Sequence, residues 1–465
     1  LANCLLALLL GTAHADKVWD WYQPNLNANP GQRRGTEQFK NKLEQMIPAD
    51  LTKSKAMGRD LLISLLTRGA ADLSIPSLQK LDKKLQAASS QGAGAKLAIV
   101  LTALGPGYEK FGQLLGNRPD LVSEPHRSEL AKLSDKCAPM PFYAVQNEVK
   151  SMLKSLPGQP RSINEVFKHI EPVPLGTGSI GQAHLAELAN GQKVVIKVVK
   201  PGVEKALARN FDGLAHVLGS AESPGLADMI AEMKRQSLVE TDLRHEAKAL
   251  TKARKSMRRL GVAVPRVLEG SVSEKLLLME LAPGVKSTEA GLNRKQQAQA
   301  ASNTFSSIVY QVVLTGQFHG DPHEGNIFLE AKSGGALTTF IDWGLTGRMT
   351  AKEKLAMVGV LAGAARRSPA LLTRSLLSIS SRGDKALIRK VAVEKMKGSG
   401  SALEVAQEIL LTLQLEHVKI PGSFVAASKA LLLSEGVAEK IDANFKSSKA
   451  LRTAWKPWLS RIKLK

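Results

Sequence analysis

The chain has 465 residues, with 64 Lys and Arg against 42 Asp and Glu and a formal net charge of +22. That length suits two or three domains and a substantial core without covalent staples. Only Cys4 and Cys137 are present and aromatics are 4% of the chain, so a disulfide framework, a zinc centre and a base-stacking nucleic-acid surface are all disfavoured, and the charge points to phosphates or acidic lipid.

In chain order, residues 1–15, LANCLLALLLGTAHA, read as an export signal cut after Ala13-His14-Ala15, or as an anchor; the apolar run is too short to span a bilayer. Residues 16–96 hold short helical patterns broken by Asn, Pro and Gly, closing on the loop AASSQGAGAK. Residues 97–170 read as a helical unit, with apolar residues at helical spacing through LAIVLTALGPGYEKFGQLLGNRPDLV. From 171 to 285 the texture changes. SIGQAHLAEL, NGQKVVIKVVK and KLLLMELAPG carry strand-type runs with a turn at Asn190-Gly191, which predicts a small sheet with one helical stretch, about 207–260, inserted between its strands. Residues 286–465 read as helical, except for NIFLE and LTTFIDWG, which predict a short hairpin.

The chemistry lies in residues that follow one another in a set order. PLGTGSIGQAH, 174–184, places Gly176, Gly178 and Ser179 in a turn before a strand, where backbone N–H groups can approach phosphate oxygens; most such glycine pairs merely turn the chain. In KVVIKVV, Lys197 lies among apolar neighbours. An ammonium there either faces water from an edge strand or is held by phosphates and a helical glutamate. In LVETDLRHEAKAL, Glu240, Asp242 and Glu246 are read on one helix, either as a solvated acidic face or with Glu246 as the partner of Lys197. GQFHGDPHEGNIFLE, 316–330, then supplies Asp321 to orient or deprotonate an attacking oxygen and Asn326 as an oxygen ligand for Mg²⁺, and FIDWG adds Asp342. His319 and His323 flank Pro322 and lack the helix of an H-E-x-x-H zinc site. Each piece has a plain explanation. Their joint order predicts phosphoryl transfer from a nucleotide with Mg²⁺.

These residues resemble a protein-kinase-like fold and, more narrowly, the UbiB/AarF family of atypical kinases. KFGQ, Lys110 to Gln113, matches the family's K-x-G-Q motif, ETD at 240–242 its E-x-D motif, and FHGDPHEGNIF with IDWG its catalytic and metal loops. The resemblance covers roughly residues 95–350. It implies an α+β, two-lobed kinase-like fold: a small, mostly antiparallel N-lobe sheet over 171–285, a helical C-lobe over 286–465, and a helical K-x-G-Q extension over 97–170. It further implies that Lys110 and Gln113 point to the nucleotide site, that Lys110 approaches Glu240 and Asp242, and that the extension covers the peptide groove. The implied activity is ATPase or small-molecule kinase chemistry, tied to a lipid or quinone precursor rather than to peptides. LGTGS departs from the family's usual alanine-rich loop, and Trp343 stands where Phe is usual.

The end of the chain, KSSKALRTAWKPWLSRIKLK, is basic and carries Trp455 and Trp458, which suits either an interfacial segment on an anionic membrane surface or a tail packed on the domain. An exported enzyme would meet little ATP, so the N-terminal run is read as the anchor of a membrane-associated protein facing the cytoplasm. Two other functions remain open: a non-catalytic nucleotide- or lipid-binding scaffold, and a small-molecule phosphotransferase like the aminoglycoside kinases, whose H-G-D loop resembles residues 319–321.

Overall fold

The computed structural model describes residues 30–450, apart from 53–57, 117, 119, 120, 136–138, 156–161, 221–223, 382, 383 and 417. The N-terminal apolar segment, both cysteines and the Trp455–Trp458 tail lie outside the described residues. Among the described residues, no helix is long and apolar enough to cross a membrane.

The chain forms two compact units: Leu1–Asn147 with Pro172–His184 and Lys197–Thr241, and Glu148–Glu171 with Leu185–Ile196 and Asp242–Lys465. The segments Gly181–Leu188 and Lys193–Val199 each run from one unit into the other.

The first unit begins with helices α1 (Pro30–Met46), α2 (Arg59–Ala71), α3 (Ile75–Ala87), α4 (Ala93–Leu104), α5 (Pro106–Gly116) and α6 (His126–Ala131). Their apolar stripes meet in a dry core that includes Leu62, Leu66, Leu97, Leu101, Phe111 and Leu115, all fully buried. Ser74 caps α3 by accepting the Ser77 N–H at 3.3 Å. Helix α7 (Phe142–Ser155) and the single turn α8 (Ile163–Val166) lead to strand β1 (Phe167–Ile170), so the helical reading of 97–170 stops short of its last four residues. Phe167 and Ile170 are buried while Lys168 and His169 face water.

Strands β2 (Gly176–Thr177), β3 (Gly181–Leu188), β4 (Lys193–Val199), β6 (Val267–Val272) and β7 (Leu276–Glu280) join β1 in one sheet, ordered β1-β3-β4-β7-β6 with β2 on β3. The Asn190-Gly191 turn is as expected, with Gly191 at φ 85°, a conformation glycine adopts without Cβ strain. Between β4 and β6 run three helices rather than one helical stretch: α9 (Val203–Ser220), α10 (Pro224–Glu240) and α11 (Leu243–Met257). Helix α11 packs on β6 and β7.

The rest of the second unit is helical around two small sheets. Strand β5 (Val262–Ala263) pairs in parallel with β11 (Gly335–Phe340), which pairs with β10 (Ile327–Lys332) and through it with β8 (Val285–Lys286). The expected hairpin is therefore β10–β11, in register from Ile327↔Phe340 to Lys332↔Gly335. The Asp321 loop precedes it, and β9 (Gln317–His319) pairs with β12 (Thr346–Arg348) across the loop's base. Helix α12 (Arg294–Tyr310), started by an Asn293/Gln296 capping box, lies against β11 and the last helix. Helices α13 (Ala351–Ala365), α14 (Pro369–Ile379), α15 (Lys385–Lys395), α16 (Ala402–Leu415) and α17 (Gly422–Ile441) complete the unit.

Candidate active site

In the second unit the loop carrying Asp321 and the loop carrying Asp342 are built around a buried histidine. His319 ends β9 and is fully buried, its main-chain N–H bound by the Gln311 side-chain oxygen at 2.8 Å. Its Nδ1 accepts the Asp321 N–H at 3.2 Å, which leaves the proton on Nε2, 2.9 Å from the Ile341 carbonyl. Burial pushes the His319 pKa down, against the pull of the Ile341 carbonyl and the nearby Asp342 and Asp321 charges, so the ring is held neutral. It thus fastens the residue before Asp342 to the Asp321 loop.

Trp343 packs on that ring. It is 2% exposed, its indole meets His319 edge-on at 4.9 Å, and its Nε1 donates to the Phe340 carbonyl at 3.2 Å. A Trp suits the site because its N–H meets a carbonyl that Phe would leave unpaired. On the other side, the Trp343 N–H donates to Glu246 Oε1 at 3.2 Å. Glu246 is 2% exposed and lies in the first turn of α11. Asp342, between these anchors, takes φ 54°, and its Oδ1 accepts the Gly344 N–H at 3.3 Å. A left-handed conformation at a non-glycine residue is a local strain that the packed neighbours hold in place.

Asn326 closes the arrangement. Its Nδ2 donates to the Asp321 carbonyl at 3.1 Å and its own carbonyl accepts the Ile341 N–H at 3.0 Å. With the NH₂ end engaged, the amide oxygen is the end left to face a cation. Asn326 and Asp342 each present a hard oxygen donor, the type of ligand that a cation such as Mg²⁺ takes. The Asp321 carboxylate is 38% exposed, with Lys429 Nζ 3.9 Å from Oδ1 and His323 Nε2 3.9 Å from Oδ2. His323 Nδ1 accepts the Gly325 N–H at 3.0 Å. His319 and His323 therefore serve loop geometry.

Glu240, Asp242 and Glu246 do not share one helix. Thr241 turns its hydroxyl back to the Leu238 carbonyl at 2.8 Å, and Asp242 is extended, at φ −113° and ψ 98°. The Asp242 side chain accepts the Arg244 N–H at 3.0 Å and so caps α11. The Arg244 guanidinium grips both of its oxygens, and these bonds hold the Asp242 pKa down. Capping by Asp242 sets where α11 begins, and hence where Glu246 stands.

In the first unit, the structure brings Lys110 and Glu240 together at 3.0 and 2.9 Å, with side chains 16% and 22% exposed. Helix α5 reaches this position through two close approaches. Asn210 of α9 accepts the Gly107 N–H at 3.1 Å and donates to the Leu104 carbonyl at 3.4 Å. A Cβ at Gly112 would lie 2.4 Å from Leu133 and 2.7 Å from Leu101, which accounts for the glycine of the K-x-G-Q segment. Gln113 is half-buried on the same helix, and Lys197 is half-buried on β4 between buried Ile196 and Val198.

The glycine turn differs from its sequence reading. Gly176 already belongs to β2, and Gly178 closes the β2–β3 turn by donating to the Gly181 carbonyl at 2.8 Å. A Cβ at Gly176 would meet nothing within 4 Å, whereas one at Gly181 would lie 2.4 Å from the Val198 carbonyl oxygen. Gly176, Gly178 and Ser179 stand at the surface or half-buried. The glycine the fold requires is Gly181, which reads in the sequence as an ordinary strand residue. Asn210 and Lys429 were also illegible, since each acts on residues about 100 positions away.

The antiparallel sheet with its strand lysine, followed by the Asp321, Asn326 and Asp342 loops, defines a kinase-like α+β fold. Residues 132–374, just over half of the chain, match the family described as ABC1 atypical kinase-like domain. The chain belongs to this family of UbiB/AarF-type atypical kinases, with its small, mostly antiparallel sheet, helical lobe and helical K-x-G-Q extension. Among curated proteins it is 27% identical to the uncharacterized protein sll1770 of Synechocystis sp. (74% of this chain, 61% of that one). It is 26% identical to the chloroplastic protein Activity of BC1 complex kinase 7 of Arabidopsis thaliana (74% and 51%). It is 28% identical to the probable protein kinase UbiB of Xylella fastidiosa (64% and 56%). The chain thus spans between about half and three-fifths of these relatives' lengths. A solved structure, the Rv3197–erythromycin complex from Mycobacterium tuberculosis, aligns over 78% of this chain and 95% of that one at 20% identity with a TM-score of 0.44.

Proposed function

We propose that the protein is an atypical Mg-ATP-dependent kinase or ATPase that serves lipid or quinone metabolism rather than peptide phosphorylation. The observation that carries the reading is the web in which His319 and Asn326 bind the backbones of the Asp321 and Asp342 loops to one another. Such a web fixes a proton acceptor beside two oxygen donors before substrate arrives. Family membership and the kinase name of the UbiB relative support it.

In the proposed reaction Asp321 accepts the proton of an attacking hydroxyl or water, a new bond forms between that oxygen and the γ-phosphorus, and the bond to the β-phosphate oxygen breaks with its electron pair leaving on ADP. Asn326 and Asp342 would hold Mg²⁺, which neutralises phosphate charge. Lys197 and the backbone of Gly176, Gly178 and Ser179 are assigned to the nucleotide phosphates. Glu246 holds the Asp342 loop, and Asp242 sets the start of its helix. The Lys110–Glu240 pair orders the extension that carries Gln113. An anionic membrane surface and a lipid-soluble acceptor are part of the proposal.

The test is Mg-dependent ATP binding and hydrolysis by the full chain beside Asp342→Asn, with and without anionic vesicles. Hydrolysis lost in the variant and raised by vesicles is expected. Folded wild-type protein that binds no nucleotide with Mg²⁺ would replace the enzyme with a scaffold.

A further inference from the structure

Helix α17, near the end of the chain, supplies a cation to the catalytic loop. Lys429 Nζ lies 3.9 Å from Asp321 Oδ1, and Lys440 Nζ bonds Glu324 Oε2 at 2.7 Å. Eleven residues make about three helical turns, so both lysines lie on one stripe of α17, which runs along the Asp321–Glu324 loop. The two differ in what they are free to do. Lys440 is paired within hydrogen-bond distance. Lys429 stands beyond it and, among the described residues, its ammonium makes no hydrogen bond while remaining 38% exposed. A lysine held by Coulomb attraction beside a carboxylate keeps its N–H donors for a further anion.

We infer that Lys429 is a phosphoryl-contacting residue, whose ammonium binds the terminal phosphate of the nucleotide and the charge that develops on it during transfer. The inference rests on the reading of Asp321 as the proton acceptor, because the transferred phosphorus must come within bonding reach of the oxygen that Asp321 deprotonates. A cation beside Asp321 then borders the phosphoryl oxygens. The proton of the attacking oxygen goes to Asp321 and the leaving electron pair goes to ADP, so the bonds made and broken are unchanged. Chain position hides this residue, which lies 108 positions after the aspartate it serves, in a segment that reads only as helix.

The test compares Mg-dependent binding of ADP with that of adenylyl imidodiphosphate, a non-hydrolysable ATP analogue, to the full chain by calorimetry, together with ATP turnover. Lys429→Ala is expected to weaken the analogue about ten-fold with ADP unchanged, and to lower kcat about a hundred-fold, the scale of losing one charge-stabilising donor. Lys429→Arg should recover most of the analogue affinity, and Lys440→Ala should leave the analogue-to-ADP ratio at the wild-type value. The inference is overturned if Lys429→Ala leaves both the ratio and kcat unchanged, or if it weakens the two nucleotides equally. Lys429→Met, which keeps the aliphatic stem, gives the same readings should the alanine variant fold poorly. Wild-type protein that binds neither nucleotide defeats the proposed function itself, whereas wild-type binding with a ratio indifferent to Lys429 defeats only this assignment.

Discussion

Removing the Trp343 indole tests whether the Asp342 loop is held by packing. Trp343 is 2% exposed, bonds the Phe340 carbonyl at 3.2 Å and meets His319 edge-on at 4.9 Å. Trp343→Ala deletes all three contributions, and a buried aromatic cut to alanine costs about 3–5 kcal/mol. Within that sum the hydrogen bond accounts for about 1 kcal/mol and the aromatic pair for about 0.5–1.5 kcal/mol; the remainder is burial and cavity. Trp343→Phe keeps a ring against His319 and loses the N–H, which leaves the Phe340 carbonyl unpaired, so its cost should be about 1–2 kcal/mol. Urea unfolding followed by circular dichroism measures both, and avoids the fluorescence of a chain with five tryptophans. ATP hydrolysis should survive in the phenylalanine variant and collapse in the alanine variant, because Asp342 is the preceding residue. An alanine variant that loses less than about 1 kcal/mol, or one no worse than phenylalanine, would refute the packing argument.

A double-mutant cycle of Lys110→Ala and Glu240→Ala should return a coupling of about 1–2 kcal/mol, above exposed pairs because both side chains are largely buried; coupling near zero would make the contact incidental. Gly181→Ala should destabilise by about 1–3 kcal/mol, since its Cβ would strike the Val198 carbonyl, while Gly176→Ala, with open space around it, should leave the denaturation midpoint unchanged. Equal midpoints for the two would contradict the close approach. Burial raises the Glu435 pKa, opposed by bonds from Ser447 and Ser401. The folded state therefore holds that proton more tightly than the unfolded chain, and stability falls as pH rises from the ordinary carboxylate value through the raised one. Glu435→Gln, whose amide oxygen can still accept from Ser401, should raise the melting temperature at pH 7 and not below about pH 4; a gain equal at both values would exclude ionisation as the cause.

Much of the candidate site is legible in the sequence because its residues follow chain-local patterns. Asp321 and Asn326 lie five positions apart and Asp342 directly follows a strand, so the loops and the β10–β11 hairpin can be read from spacing and alternation. The family motifs single out Lys110 and Glu240, whose contact the fold then supplies. Helix boundaries are less legible. The break at Thr241 and Asp242 depends on two side chains choosing the main chain over solvent, and either residue is also tolerated inside a helix.

The sequence by itself determined which residue types stand in each loop and strand, because hydrophobic period, turn glycines and motif spacing act over a few positions. Tertiary structure alone decided what those residues touch. His319 became a neutral clamp because burial and the Ile341 carbonyl left it one tautomer, Gly181 became indispensable because the Val198 backbone passes 2.4 Å from where its Cβ would be, and Lys429 reached Asp321 because α17 folds back along the loop. Contacts between distant segments depend on the path of the whole chain, which no local window of sequence contains.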